Sequence, residues 1–252
     1  CTYSMSGAPS TLSISSGTIS GTPINANVGT HTIVVTATDG SNAAVSDTFI
    51  LTVTNTNDAP TISSTAVTTA TEDAAYSYTT TAADVDVGDT VTLTCTTVPS
   101  WMTCASGALT GTPVNANVGA HSVVITASDG TASVTDSFTV TVANTNDAPT
   151  ISSTAVTAVD EDAAYSYTVT SADVDVGDTV TLTGTTVPSW MTFTASTGAL
   201  TGTPTNSEVG SHSVVITASD GTVSVTDSFT VVVSNTNDAP TISSTAVTAV
   251  DE

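Results

Sequence analysis

One phrase, NTNDAPTISSTAV, occurs three times in this chain and constrains its architecture more than any other feature. The copies begin at residues 55, 144 and 235, and their prolines lie 89 and 91 residues apart. A second phrase has the same period, because HSVVITASDGTASVTDSFTVT at residues 121–141 returns almost unchanged at 212–232. A period near 90 residues is too long for a solenoid repeat and suits an independently folded module. The sequence therefore predicts a tandem array of similar domains.

The repeating unit has the pattern of β-strands. In SVVITAS and SFTVVVS, apolar and polar residues alternate, which is the period of a half-buried strand. A short Asp-Gly turn separates two such segments, as in a β-hairpin. Thr and Val, which suit the pleated surface of a sheet, recur throughout the unit. About seven strands per unit predict an all-β fold with two packed sheets in each module.

The repeats divide the chain into four parts. Residues 57–145 and 146–236 are predicted to be complete modules. Residues 1–56 are predicted to be a partial module without its first strands, because Cys1 aligns with a position well inside the next repeat. Residues 237–252 are predicted to be the first strand of a further module. Two interpretations fit these ends: a segment of a longer array, which we favour, or a subunit whose terminal strand completes the partial module of another copy.

The charge of the chain excludes several classes of partner. There are 23 acidic residues, three histidines and no lysine or arginine, which gives a formal net charge of −23. Charge of this sign repels nucleic acids and anionic membrane surfaces, so we expect no nucleic-acid partner. No stretch approaches about 18 consecutive apolar residues, so we expect no membrane insertion. The absence of lysine also excludes Schiff-base chemistry and a P-loop.

The acidic residues cluster at four recurring positions. These are the linker phrase itself, a glutamate twelve residues after each linker proline (Glu72, Glu161 and Glu252), the phrase DVDVGD at 84–89 and 173–178, and a turn aspartate (Asp39, Asp129 and Asp220). Two carboxylates a few ångströms apart repel by roughly 4 kcal/mol at a surface-like dielectric. Because the chain has no cationic side chains and hard oxygen donors suit Ca²⁺, we predict calcium as the cofactor. The alternative is that these Asn and Asp residues only cap turns.

Several phrases resemble known families. NTNDAP resembles the interdomain linker of cadherins, with Asn in place of the first Asp, and SADVDVGDTVTLT and TASDG resemble two further cadherin segments that carry ligands. PSWMTFTASTGALTGTP, followed by VGSHSVVITASDG, is similar to the dystroglycan-type, cadherin-like modules of bacterial surface proteins, which are also called immunoglobulin modules. The resemblance covers residues 1–252. It implies tandem immunoglobulin-like (cadherin-like) β-sandwich modules of about 90 residues.

The resemblance also implies calcium sites at the module junctions. At the first junction the implied ligands are Asn55, Asn57, Asp58, Asp84, Asp86 and Asp129. At the second they are Glu72, Asn144, Asn146, Asp147, Asp173, Asp175 and Asp220. The same positions at the next junction are Glu161, Asn235, Asn237 and Asp238. Cadherins carry a D-R-E ligand segment where this chain has GTPVNANVG, which implies that at least one of the usual sites is missing.

The cysteines indicate an oxidising, extracytoplasmic environment. Cys95 and Cys104 lie in one module, and the next module has Gly184 and Phe193 at their positions, so both cysteines are absent together. Paired absence predicts a disulfide, and disulfides are typical of extracytoplasmic proteins. Cys1 is left over. The three histidines occupy one repeated position about 90 residues apart, which favours a structural role over a metal cluster.

The residue inventory argues against an enzyme. No Ser/His/Asp arrangement or phosphate loop stands outside the repeats, and no basic side chain is available to stabilise a developing anion. We expect an extracellular structural or adhesive segment of a bacterial cell-surface protein or fibre, in which calcium stiffens the linkers and produces a rod. Its partners would be neighbouring modules, further copies of itself, or a surface or glycan target.

Two alternatives to this role stay open. The first is a self-assembling filament subunit that polymerises by donating its terminal strand to the next copy. The second is a carbohydrate-binding module. That role needs exposed aromatic side chains, and only 4% of the residues are aromatic.

Overall fold

The computed structural model describes residues 1–249. The chain divides into two compact units, the first spanning Cys1–Asn144 and the second beginning at Thr145. The first unit contains module one (1–56) and nearly all of module two (57–145), and the second contains module three (146–236). No helix in the described part of the chain is long and apolar enough to cross a membrane.

Module one consists of an antiparallel sheet and a hairpin. Its elements are β1 (Thr2–Ser6), β2 (Leu12–Ser15), β3 (Thr18–Gly21), a 3₁₀ helix (Asn25–Asn27), β4 (Gly29–Thr38) and β5 (Ala44–Val53). β1, β4 and β5 form one sheet in that order, and β2 pairs with β3. Ile33 of β4 is fully buried.

Module two is a sandwich of two sheets. Its elements are β6 (Thr61–Ile62), β7 (Thr69–Thr71), β8 (Tyr76–Thr79), β9 (Ala82–Ala83), β10 (Thr92–Thr97), β11 (Met102–Ala105), β12 (Ala108–Gly111), a 3₁₀ helix (Asn115–Asn117), β13 (Gly119–Ser128) and β14 (Ser133–Ala143). One sheet has the order β10-β13-β14-β7, in which β7 runs parallel to β14. The opposite strands have the order β11-β12-β8, and β6 pairs with β9. The predicted all-β sandwich is confirmed.

The core of module two lies between its sheets. Alternate residues of β13 and β14, among them Val123 and Val140, are fully buried, as is Leu109 of β12. This is the period of two that the sequence shows. Burying such a side chain stabilises a fold by about 1.5–3 kcal/mol relative to leaving it exposed. Trp101 is half-buried against this cluster, and its ring meets Tyr76 edge to face at 5.8 Å between centroids.

The first two strands of module two each change partner, which gives nine strand segments instead of about seven. β6 pairs with β9, and after a crossing at residues 63–68 the chain joins the other sheet as β7. Two tyrosines hold this crossing. Tyr76 Oη donates to the Val67 carbonyl oxygen (2.7 Å), and Tyr78 Oη lies 2.8 Å from Ser64 Oγ. Burial, together with the nearby Tyr78, raises the pKa of Tyr76 to about 12, so its hydroxyl keeps the proton that it donates.

The second unit repeats this sandwich as module three. Its elements are β15 (Thr150–Ile151), β16 (Ala158–Asp160), β17 (Tyr165–Thr168), β18 (Ser171–Ala172), β19 (Thr181–Thr186), β20 (Met191–Thr194), β21 (Ala199–Gly202), a 3₁₀ helix (Asn206–Glu208), β22 (Gly210–Ser219) and β23 (Ser224–Ser234). The sheets are β16-β23-β22-β19 and β17-β21-β20, and β15 pairs with β18. Its core contains Tyr165, Leu200, Val214 and Ile216.

The two complete modules close one edge of the sandwich differently. In module two a disulfide joins Cys95 of β10 to Cys104 of β11, which are edge strands of opposite sheets. In module three Phe193 packs directly on Gly184, where an added Cβ would lie 3.2 Å from the Phe193 Cβ. Cys1 is exposed and free of any disulfide.

Residues 237–249 contain no strand, although the sequence predicts that a further module begins there. Thr241 and Ile242 match the position of β15, yet no strand pairs with them within residues 1–249, and Ile242 is 92% exposed. β15 forms because β18, later in the same module, supplies its hydrogen bonds. Glu252 lies outside the described residues. The module boundaries and the strand-donation alternative stay predictions.

Candidate metal centre

The linker between modules one and two is held by side chains of module two. The Asp58 N–H donates to Asp86 Oδ2 (2.7 Å), and Asn57 Nδ2 donates to Asp129 Oδ2 (3.0 Å). Asp86 belongs to the segment between β9 and β10, and Asp129 to the turn between β13 and β14. Within the first unit, three of the acidic segments that the sequence singles out therefore meet at one end of module two.

Residues 84–89, called the aspartate loop below, bring three carboxylates together. One carboxylate oxygen from each of Asp84, Asp86 and Asp89 lies within 4.8 Å of the other two. The Asp86 N–H donates to Asp84 Oδ1 (2.9 Å), and the Asp89 N–H donates to the Asp86 carbonyl oxygen (3.3 Å). Gly88 has φ of +103°, a left-handed conformation that glycine adopts without strain, and it lets the chain turn back here.

Two oxygens of the aspartate loop are buried without a hydrogen-bond partner. Asp86 is only 4% exposed. Its Oδ2 accepts the linker N–H, but its Oδ1 has no hydrogen-bond partner. The Asp84 Oδ2 is also buried and has no hydrogen-bond partner. Buried polar atoms are nearly always hydrogen-bonded, and an unpaired buried charge is costly. The chain has no lysine or arginine to neutralise these carboxylates. A divalent cation that prefers hard oxygen ligands, such as Ca²⁺, fits this loop.

Desolvation and neighbouring negative charge both act on the pKa of Asp89. Desolvation raises the pKa of Asp89 above its ordinary value, and the nearby carboxylates of Asp86, Asp84 and Asp129 raise it further. A cation bound among these groups would act in the opposite direction, because it favours the ionised form of each carboxylate.

Asp129, a predicted ligand, caps the turn between β13 and β14. Its Oδ1 accepts the N–H groups of Thr131 and Ala132 (2.6 Å each), and its Oδ2 accepts Asn57 Nδ2. The Ala132 and Thr131 N–H groups, followed by Asn57, hold the pKa of Asp129 below its ordinary value. Asp39 likewise accepts two backbone N–H groups in the corresponding turn of module one. Both aspartates thus cap their turns through Oδ1.

The second unit reproduces the aspartate loop at residues 173–178. The Asp147 N–H donates to Asp175 Oδ2 (2.8 Å), and the Asp175 N–H donates to Asp173 Oδ1 (2.9 Å). Carboxylate oxygens of Asp173, Asp175 and Asp178 lie within 4.8 Å of one another. Asp175 Oδ1 and Asp173 Oδ2 are buried without a partner, as in module two. The same local sequence thus produces the same arrangement twice.

Asp220 occupies the turn position of module three. Its Oδ1 accepts the N–H groups of Thr222 and Val223 (2.6 Å each), and its Oδ2 accepts Asn146 Nδ2 (2.9 Å). The Val223 N–H, then Asn146, then the Thr222 N–H hold the pKa of Asp220 below its ordinary value. Each complete module therefore uses its turn aspartate to hold an asparagine of the preceding linker.

The glutamate that follows each linker is buried in both units. Glu72 and Glu161 are each 3% exposed, and their N–H groups donate to the carbonyl oxygens of Ala143 and Ser234 (2.9 Å each). Glu161 Oε1 accepts the Thr236 N–H (2.6 Å), and its Oε2 is buried without a partner. Glu161 therefore holds the start of the next linker phrase through one of its two oxygens.

A family model described as "Putative Ig domain" matches residues 1–54, 59–143 and 148–234. The chain belongs to this family. The three consecutive matches confirm that the chain is a tandem array of immunoglobulin-like modules. No curated protein sequence matches the chain.

Solved cadherin structures share the fold of these Ig domains. Protocadherin gamma B2 extracellular cadherin domains 1–5 match with a TM-score of 0.58 and 16% identity over 95% of this chain. The protocadherin gamma B7 EC3–6 cis-dimer structure matches with a TM-score of 0.51 and 17% identity over 92% of this chain. The Ig-domain chain spans 53% and 66% of those two chains. These matches confirm the cadherin-like fold.

An endo-fucoidan hydrolase of glycoside hydrolase family 107 is also similar in sequence to the Ig-domain chain. It is 28% identical over 94% of this chain, which spans 39% of the hydrolase. The TM-score of that match is 0.35, so the likeness does not establish catalysis.

The Ig domains bring together most of the predicted ligands but not all of them. In the first unit Asp58 donates a hydrogen bond to the aspartate loop, and Asn57 donates one to the turn aspartate. Asn55 and Asn144 are exposed residues just beyond β5 and β14. The side-chain amides of Asn235 and Asn237 donate to backbone carbonyl oxygens of their own linker phrase.

Two kinds of residue were missing from the predicted ligand set of these Ig domains. The first is the third aspartate of each loop, Asp89 or Asp178; its position one residue after a glycine could have indicated a chain reversal. The second is an asparagine of the 3₁₀ helix. Asn25 Nδ2 donates to Asp58 Oδ2 (2.7 Å), and Asn206 Nδ2 donates to Asp238 Oδ2. Nothing in the phrase GTPINANVG indicates this contact.

Proposed function

We propose that this chain is an extracellular structural or adhesive segment of a bacterial surface protein or fibre, and that calcium at its module junctions stiffens the linkers into a rod. Tandem immunoglobulin-like and cadherin-like repeats fit an extracellular structural or adhesive role. The disulfide in module two suits an oxidising compartment. The proposed role involves no catalysis, and its partners are neighbouring modules or further copies of the chain.

The observation that carries this proposal is the double use of Asp86. One of its oxygens accepts the backbone N–H of the linker residue Asp58, and the other is buried without a partner inside a triad of carboxylates. A cation bound to the free oxygen would hold this side chain in place and keep it ionised. The same side chain would then keep the linker backbone in its ordered conformation.

Calcium suits these loops better than smaller cations. Ca²⁺ takes about six to eight oxygen ligands in flexible geometry, whereas Mg²⁺ demands near-ideal octahedral geometry. Each loop supplies its carboxylates from a short irregular segment, and the flexible coordination geometry of Ca²⁺ can accommodate such ligands. Binding to the ordered state alone stabilises that state, so linker order should rise with calcium concentration.

Hydrogen–deuterium exchange of the full chain, with calcium or with a chelator, tests the proposal. Calcium is expected to slow exchange in peptides that cover linker residues 54–60 and the aspartate loop. The buried strand β13 serves as an internal control, because its exchange should be slow in both conditions. Equal exchange of the linker with calcium and with chelator would refute the calcium role.

The carbohydrate-binding alternative finds little support in the placement of the aromatic rings. In modules two and three the Trp and Tyr rings pack into or against the cores. Tyr3 and Phe49 of module one are the more exposed rings, at 42% and 38%. The structural role predicts that the protein binds no glycan on a glycan array.

A further inference from the structure

The third aspartate of each loop is placed like a ligand. Asp89 is exposed, and its carboxylate approaches those of Asp84 and Asp86 within 4.8 Å. It accepts no hydrogen bond within the described residues. Asp178 has the same position relative to Asp173 and Asp175.

Backbone geometry accounts for this approach. The left-handed glycine, Gly88, reverses the chain directly before Asp89, and the Asp89 N–H closes the turn on the Asp86 carbonyl oxygen (3.3 Å). Gly177 has φ of +106°, and the Asp178 N–H closes the same turn on Asp175 (3.3 Å). The turn therefore returns a third carboxylate to the two that precede it, against their mutual repulsion.

The turn aspartate, for which the cadherin resemblance implies a ligand role, is already engaged by protein hydrogen-bond donors. Both oxygens of Asp129 already accept hydrogen bonds, two from backbone N–H groups and one from Asn57. These donors already stabilise the negative charge of Asp129, whereas Asp89 accepts no hydrogen bond that would stabilise its charge. The buried, unpartnered Oδ1 of Asp86 is an independent sign that this loop has a missing ligand.

We propose that Asp89 and Asp178 are direct ligands of a divalent cation, and that each aspartate loop holds one ion with all three carboxylates supplied by a single module. This inference rests on the proposed calcium role and specifies the ligands of that site. It follows that the chain has two equivalent loop sites, one in each complete module. Asp129 and Asp220 would support the linker without touching the ion.

Isothermal titration of the full chain with Ca²⁺ tests this assignment. Asp89→Asn removes one charge and keeps the size of the side chain, and Asp178→Asn does the same in module three. Each variant is expected to weaken one of the two loop sites by at least about tenfold, a loss that even outer-sphere partners of a metal commonly produce. The double variant should weaken both. Asp47→Asn, at an exposed position of β5, is the matched control and should bind like wild type.

The outcomes separate this inference from the proposed function. Wild-type calcium affinity in Asp89→Asn and Asp178→Asn, with loss of affinity in Asp129→Asn, would overturn the ligand assignment and leave the calcium role intact. No calcium binding by the wild-type chain would overturn both. Far-ultraviolet circular dichroism of each variant should match wild type, because Asp89 is exposed and its side chain accepts no hydrogen bond. If a variant is unfolded, Asp89→Ser, which also lacks the charge, is titrated in its place.

Discussion

At the scale of single residues, the two complete modules solve one packing problem in two ways. Module two closes the edge between its sheets with the disulfide Cys95–Cys104, and module three places Phe193 on Gly184 at the same positions. The paired absence of both cysteines made the disulfide predictable from sequence. The packing of phenylalanine on glycine was not predictable, because it depends on which edge strands face each other.

Removing the disulfide should destabilise module two alone. For a loop of this length, the chain-entropy model predicts that replacing Cys95 and Cys104 by serine lowers the free energy of unfolding by roughly 2–3 kcal/mol. Urea unfolding followed by Trp101 fluorescence, in a Trp190→Phe background, measures this change. The variant with Cys95→Gly and Cys104→Phe copies module three and should recover part of the loss. An unchanged midpoint in the serine variant would show that the disulfide adds no stability.

At the scale of elements, periodicity predicts strands but not their partners. The alternating phrases identified the long hairpins β13–β14 and β22–β23 correctly. The first strand of each module was not resolved into two segments, because a period of two is the same whichever sheet a strand joins. The crossing between the segments is held by the hydroxyl groups of Tyr76 and Tyr78, whose hydrogen bonds a pattern of alternation does not predict.

The loop of the 3₁₀ helix shows the same limit at the candidate site. In the phrase GTPINANVG, Asn27 is buried, its Oδ1 accepts the Ile24 N–H (3.0 Å), and its carbonyl oxygen lies 2.7 Å from His31 Nε2. This framework fixes the loop that carries Asn25, whose amide donates to Asp58 in the linker. This loop thus contributes a neutral hydrogen-bond donor to the linker.

Substitution of Asn25 should change how strongly the first linker depends on calcium. Asn25→Ala removes the donor to Asp58, so residues 54–58 should exchange hydrogen faster in chelator. Asn25→Asp places a second carboxylate beside Asp58, so exchange in chelator should be faster still, and calcium should restore more of the protection. The same rates in wild type and both variants would mean that this contact does not order the linker.

At the scale of the whole molecule, the repeat predicts the modules and the net charge predicts a bound cation. A period near 90 residues identified the modules, and a net charge of −23 without any basic side chain directed attention to a cation. The cadherin resemblance implied that Asp84 and Asp86 lie near the linker, and Asp86 accepts the Asp58 N–H there. Asp89 and Asp178 were not among the predicted ligands because an aspartate beside a glycine is also typical of an ordinary turn. The buried, unpartnered carboxylate oxygens of the two loops could not be predicted, because burial depends on how the loop packs in the folded module.

Small-angle X-ray scattering of the chain, with calcium and with chelator at two protein concentrations, tests the central claim most directly. The account predicts the scattering of an extended, stiff particle in calcium and of a flexible one in chelator, with no dependence on protein concentration. Identical curves in calcium and chelator would contradict it. A particle that lengthens with protein concentration regardless of calcium would instead support assembly by strand donation.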